Sequence, residues 1–178
     1  YGQNDDEYAN KKSGNSWTAV HEIPWISGGQ ALSLDMSADG TALAIGDPFA
    51  KANSETGTVE VYHRRRKSGK RNGQGRYKKL GRTLCRAKHV RQTDACRGAG
   101  WMVSLSGDGH TVATSTFVSD QSAVTVFQYD KGSDSWEMVG EPILPFDDNQ
   151  EGPARVVLSD DGSTVAIIRG VYHFSDQV

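Results

Sequence analysis

Residues 33–48 read SLDMSADGTALAIGDP, and this stretch decides the fold. Apolar Leu34 and Met36 alternate with Ser33 and Asp35, the turn Ser37-Ala38-Asp39-Gly40 follows, and Leu43, Ala44 and Ile45 open a second apolar run. Alternation at period two is the pattern of a half-buried strand. Asp-Gly suits the reversal, because Gly takes positive φ without steric penalty and Asp can bond its own neighbouring backbone. The stretch therefore predicts a β-hairpin.

The pattern recurs twice. Ser106 to Gly109 and Ser159 to Gly162 repeat the Ser-x-Asp-Gly turn, with Val103 and Leu105 or Val156 and Leu158 ahead and Val112-Ala113 or Val165-Ala166 behind. A third alternating strand follows in two copies, TVEVY at 58–62 and AVTVF at 123–127. A fourth element starts on an aromatic with an apolar residue three places later: Trp17 with Val20, Tyr77 with Leu80, Trp136 with Val139. The second and third copies continue alike, through Gly81 to Leu84 and Gly140 to Ile143. Trp17 to Tyr77 and Tyr77 to Trp136 each span about 60 residues, near the longer end of known blade repeats.

Four short antiparallel strands per repeat and no amphipathic helix predict an all-β chain of β-propeller blades, about three repeats and part of a larger propeller. A β-sandwich is the alternative, which the repeats oppose. The expected division is the end of a preceding blade plus loop at 1–16, repeat 1 with a basic insertion at 17–76, repeat 2 at 77–135, and an incomplete repeat 3 at 136–178. Open sheet edges need cover, so either more blades of the same chain or self-association is expected to close the ring. Trp17, Tyr77 and Trp136 are expected to pack between blades, and Ala44, Ala113 and Ala166 to sit on an inner strand.

The string Ser-x-Asp-Gly-x-x-[Leu/Val]-Ala, followed by Ile45-Gly46-Asp47-Pro48 and Gly57-Thr58-Val59-Glu60-Val61-Tyr62, resembles the FG-GAP-type repeats of bacterial and algal β-propeller proteins, distantly similar to the integrin α propeller. The second repeat departs from it, with Thr114 and Ser115 where Ile45 and Gly46 stand, as does the third, with Ile167 and Ile168. The resemblance implies secreted or surface proteins used for recognition and adhesion, with little implication of catalysis. It also implies calcium in some members, held by loops of the Asp-x-Asp-x-Asp-Gly kind. Here Asp39, Asp108 and Asp161 keep the last carboxylate, while Ser37, Ser106 and Ser159 replace the middle one. Asp39-Gly40, Asp108-Gly109 and Asp161-Gly162 are accordingly read as structural turns; no cofactor is expected, with calcium as the alternative.

Charge is segregated. The net charge of -2 comes from 20 basic and 22 acidic residues, yet 13 of the basic ones and none of the acidic ones lie between Val61 and Thr93. Runs of like charge repel and stay solvated, so Arg64, Arg65, Arg66, Lys67, Lys70 and Arg71, interspersed with glycines and followed by Lys78 and Lys79, are expected to form a loop outside the core. One reading is a solvated insertion folding back on the acidic body. The other is a docking arm for a polyanion, with a protein partner or an acidic glycan expected and nucleic acid weakly supported, since Tyr77 alone offers a nearby ring.

Hydrophobic residues make up 36% and charged residues 24%, which excludes disorder and collagen, and no apolar run approaches the roughly 18 residues needed to span a bilayer. Gly-x-Ser-x-Gly, phosphate-loop and His-Glu-x-x-His motifs are absent. The five histidines at 21, 63, 89, 110 and 173 are scattered, and Asp147, Asp148 and Glu151 read as solvated loop acids. The chain is thus expected to be a non-enzymatic interaction or scaffold module, with a carbohydrate-binding adhesion protein, or a piece of a propeller enzyme whose site lies elsewhere, as alternatives. Cys85 and Cys96, the only cysteines, are candidates for a disulfide across the basic connector, which points to an extracellular, surface or other oxidising compartment. A zinc site through Cys85, His89 and Cys96 lacks a fourth ligand.

Overall fold

The computed structural model describes residues 7–13, 16–23, 33–50, 56–65, 76–85, 96–119, 121–145 and 152–168. They form strands and connections with no helix long and apolar enough to cross a membrane. Strands β1 (Glu7–Ser13) and β2 (Ser16–Ile23) make an antiparallel hairpin. Strands β3 (Ser33–Met36), β4 (Ala42–Asp47), β5 (Thr58–Arg65) and β6 (Arg76–Lys79) form a four-stranded meander. Strands β7 (Val103–Leu105), β8 (Thr111–Val118), β9 (Gln121–Asp130) and β10 (Ser135–Met138) repeat it, and β11 (Arg155–Leu158) pairs with β12 (Val165–Ile168). The sheets are those of propeller blades, as the repeats predicted. Beyond each fourth strand Gly81 and Gly140 take positive φ (65° and 68°), after which Leu84 bridges Val59 and Ile143 bridges Val124.

The three Ser-x-Asp-Gly turns share one hydrogen-bond pattern. The hydroxyls of Ser37, Ser106 and Ser159 donate to the carboxylates of Asp39, Asp108 and Asp161 at 2.9, 2.6 and 2.6 Å. The same hydroxyls accept the backbone N–H of Ala42, Thr111 and Thr164 at 2.8, 2.9 and 3.0 Å. Each carboxylate also accepts the N–H two residues on, and Gly40, Gly109 and Gly162 stand at φ 65°, 72° and 70°. A Cβ on Gly109 would meet Ala42 Cβ at 2.4 Å, so glycine is needed there for close approach between blades as well as for the turn.

Blades stack face to face around three cores. Ala42, Ala44, Val59, Val61, Leu105, Val112 and Phe127 join the two four-stranded sheets, with Leu80, Trp136 and Met138 against them. Ile23, Leu43, Ile45, Tyr62 and Tyr77 form the cluster beside β2, and Ala113, Val124, Ala154, Val156 and Leu158 the one beside β11. Every residue of β4 is buried, because both of its faces meet neighbouring sheets.

The first strands β3, β7 and β11 lie next to one another, tied by a polar relay. Asp35 accepts the Leu105 N–H at 2.7 Å and the Ser104 hydroxyl at 3.2 Å; Ser104 Oγ in turn accepts the Leu158 N–H at 3.0 Å. The residue two places before the turn serine in one blade thus satisfies a backbone donor of the next. Ala44 and Ala113 are buried on β4 and β8, inner strands of the two four-stranded sheets, as expected, whereas Ala166 on β12 is exposed.

Backbone from the Cys96 side of the disulfide enters between these blades. Gly100 donates its N–H to Thr114 Oγ1 at 2.9 Å and its carbonyl accepts the Ser33 hydroxyl at 2.8 Å, while Met102 N–H donates to Ser115 Oγ at 3.0 Å. Gly46 and Gly57 face this segment so closely that a Cβ would lie 2.4 Å from Gly100 O or 1.9 Å from Ala99 O. Thr114 and Ser115, which depart from the first repeat, are the residues that hydrogen-bond it.

Candidate functional site

The turns β3–β4, β5–β6, β7–β8, β9–β10 and β11–β12 leave the same end of the blades. Arg64 N–H donates to Thr41 O at 2.7 Å, Tyr129 N–H to His110 O at 2.8 Å and Gly107 N–H to Asp160 O at 2.8 Å, which binds neighbouring turns into one face.

The described ends of the basic arm, on β5 and β6, stand at this turn face. The stem of the arm is the β5–β6 pairing, with Tyr62 opposite Lys79, His63 opposite Lys78, Arg64 opposite Tyr77 and Arg65 opposite Arg76. Arg66, Lys67, Lys70 and Arg71 lie outside the described residues. Tyr77 is 7% exposed and donates its hydroxyl to Gly40 O at 2.7 Å, so it is a core residue, with burial raising its pKa, and the Arg64 guanidinium sits 6.0 Å from its ring centre.

Lys79 has a partner in the body. Its ammonium lies 2.6 Å from Glu60 Oε1, and Glu60 also accepts the Tyr62 hydroxyl at 2.6 Å and the Thr83 hydroxyl at 2.9 Å. Burial pushes the Glu60 pKa up, but the hydrogen bonds from Lys79, Tyr62 and Thr83 win and hold it below the usual carboxylate value. Lys79 is thereby a structural cation, whereas Lys78 on the same strand is exposed and makes no ion pair among the described residues.

Beside the stem, a cleft of about 260 Å³ opens between the two four-stranded blades, lined by His63, Lys78, Lys79, Leu80, His110, Tyr129, Lys131 and Asp134. One wall is the β5–β6 stem and the other the turns of the next blade. Tyr129 is the last but one residue of β9, its hydroxyl donates to Asp134, and its ring lies near those of His110 and Trp136, with centres 5.8 and 5.3 Å away. Trp136 Nε1–H donates to Leu80 O at 2.9 Å, clamping the wall to the neighbouring blade. Asp130 fixes the β9–β10 turn, accepting the Ser133 hydroxyl at 2.6 Å and the Gly132 N–H at 2.9 Å, and these bonds lower its pKa. His63 and His110, far apart in the sequence, line the same cleft. Each stands near a hairpin end of its own blade, and the two blades are adjacent.

The carboxylates of the Ser-x-Asp-Gly turns are engaged by donors of their own turns. Asp39, Asp108 and Asp161 have pKa values lowered by the donors of their own turns, the first of these being the Thr41, Ser106 and Ser159 hydroxyls, and Asp161 is lowered to about 2. Among the described residues no three His, Cys, Asp or Glu side chains gather as a metal site. Cys85 and Cys96 are bonded as a disulfide, with Cα atoms 5.1 Å apart. The bond suits an oxidising compartment.

No protein-family model and no curated protein matches the sequence. Among solved structures the chain is similar to a periplasmic gluconolactonase of Pseudomonas aeruginosa, at 15% identity and a TM-score of 0.50, covering 90% of this chain and 42% of that one. It is also similar to TolB of Acinetobacter baumannii, at 15% identity and a TM-score of 0.39, covering 87% of this chain and 29% of that one. The chain therefore spans less than half the length of either. The expectation of a non-enzymatic protein is corrected here, because the gluconolactonase is an enzyme, and lack of catalysis does not follow from this architecture. What the likeness shows for this chain is the fold, that of a β-propeller.

Proposed function

We propose that this chain supplies β-propeller blades whose turn face docks a polyanionic partner through the basic arm between β5 and β6. The observation that carries this reading is the stem register, which roots both ends of the arm on the turn face beside a cleft lined by Lys78, Lys131, His63 and His110. Concentrated positive charge on a rigid frame steers an acidic partner and holds it by displacing counterions. The FG-GAP resemblance of the first repeat and the disulfide favour a secreted or surface role in recognition, where acidic glycans are the polyanions at hand. Docking and catalysis are not exclusive, and the reading is independent of any turnover by the whole protein.

Heparin, a sulfated glycan, is the probe. Its affinity should fall steeply between 50 and 200 mM salt, on the order of tenfold or more. Replacing Arg64, Arg65, Arg66 and Lys67 by Ser should weaken binding at least tenfold at about 0.1 M salt and flatten the logarithmic salt slope by about 4, near one per lost contact. Unchanged affinity in that variant would remove the arm from the account.

A further inference from the structure

We infer that the cleft between the two four-stranded blades is a discrete binding site for one tetrahedral oxyanion, a sulfate or phosphate monoester. The inference deepens the docking reading of the turn face, and relies on it only for what presents the anion. Cationic and donor groups converge on the cleft from four separate segments: His63 on β5, Lys78 on β6, His110 in the β7–β8 turn and Lys131 in the β9–β10 turn. Lys79 is neutralised by Glu60, and the lining carboxylate, Asp134, already accepts the Tyr129 hydroxyl. Two lysines without an ion pair among the described residues therefore face a single lining carboxylate, Asp134, and outnumber it.

The donor set selects the anion's shape. Among the described residues no arginine lines the cleft, so the cations they supply are ammonium groups without the planar fork that matches a carboxylate. Ammonium groups act as point charges, and donors arriving from several directions match oxygens arranged in three dimensions. The walls are held before any ligand arrives. Trp136 Nε1–H bonds Leu80 O across the blade boundary, Asp130 fixes the turn that carries Lys131, and the His63–Lys78 register fixes the opposite side. With the backbone on both sides fixed, the ordering cost of binding falls mainly on the two lysine side chains. His110 is oriented by Asp108, with Nδ1 3.4 Å from the carboxylate and its ring against Tyr129.

The test is titration of the full chain with inorganic sulfate, inorganic phosphate and acetate at constant ionic strength, followed by NMR of the His63 and His110 imidazoles. Sulfate or phosphate should give saturable shifts at both rings, and acetate at least tenfold weaker ones. Combining Lys78→Ala with Lys131→Ala, both exposed positions, should weaken oxyanion binding at least tenfold. The four-serine arm variant should bind the small anions within about twofold of the parent, so that failure of the arm and failure of the cleft are read separately. Glucose 6-sulfate and glucose 6-phosphate then identify the source, the tighter of the two marking a sulfated glycan or a phosphate ester. Acetate binding as tightly as sulfate, or full binding by the double lysine variant, would overturn the site.

Discussion

Gly57→Ala is expected to destabilise the protein by about 3 kcal/mol or more, the upper end of what overpacking costs. A Cβ there would stand 1.9 Å from Ala99 O and 2.7 Å from Pro48 Cα, both backbone atoms that no rotamer change can move aside. The obstructing segment cannot retreat easily, because the Cys85–Cys96 bond, the Ser33 hydroxyl and Thr114 Oγ1 hold it. For a chain of this size the loss corresponds to a drop in Tm of about 10 °C. Gly140→Ala is the comparison, since it has φ 68° but nothing within 4 Å of the added Cβ. It should cost only the left-handed backbone penalty, about 1 kcal/mol. Equal Tm values for the two variants would show that residues 98–100 are not wedged between the blades.

Glu60→Ala should have the next largest effect, a loss of about 2 to 3 kcal/mol measured by urea unfolding. It removes the acceptor of the Lys79, Tyr62 and Thr83 hydrogen bonds at a buried position, and hydrogen bonds to charged groups are worth about 1.5 to 3 kcal/mol. Lys79 is partly exposed and regains water, which keeps the figure below that for breaking a fully buried pair. Glu60 also sets a pH dependence. Its folded pKa lies below its unfolded value, so its contribution is complete above the unfolded pKa and is lost as pH falls through the folded one. Glu60→Gln should abolish that part of the acid destabilisation while keeping an oxygen acceptor. An exposed carboxylate on β10, Glu137, should change stability by less than about 0.5 kcal/mol when replaced by Ala.

The blades were legible in the sequence because their signals are local. Each Ser-x-Asp-Gly turn closes its own hydrogen bonds within six residues, and the strands on either side carry their alternation with them. The aromatic at Tyr77 or Trp136 and the glycine after it likewise mark the fourth strand without help from elsewhere. What one blade does for the next was not legible. Asp35 reads as the polar face of β3, yet it serves Leu105, 70 residues on, and nothing near either residue announces the contact. The cleft is of the same kind: the sequence singled out the arm by charge density, whereas Lys131 and Tyr129 sit in an unremarkable hairpin and gain their role from the adjacent blade. Lys79 belonged to the charge run by composition and leaves it by geometry, since Glu60 faces it across the β5–β6 pair.

Lysine-reactivity footprinting of the full chain with and without heparin tests the docking face most directly. Protection should concentrate at Lys67, Lys70, Lys78 and Lys131, on the arm and at the cleft, and should disappear at high salt. Lys51, next in sequence to Ala50 at the other end of the blade, should stay equally reactive in both states. Protection of Lys51 with Lys78 and Lys131 left unprotected would place the polyanion on the opposite face and contradict the account.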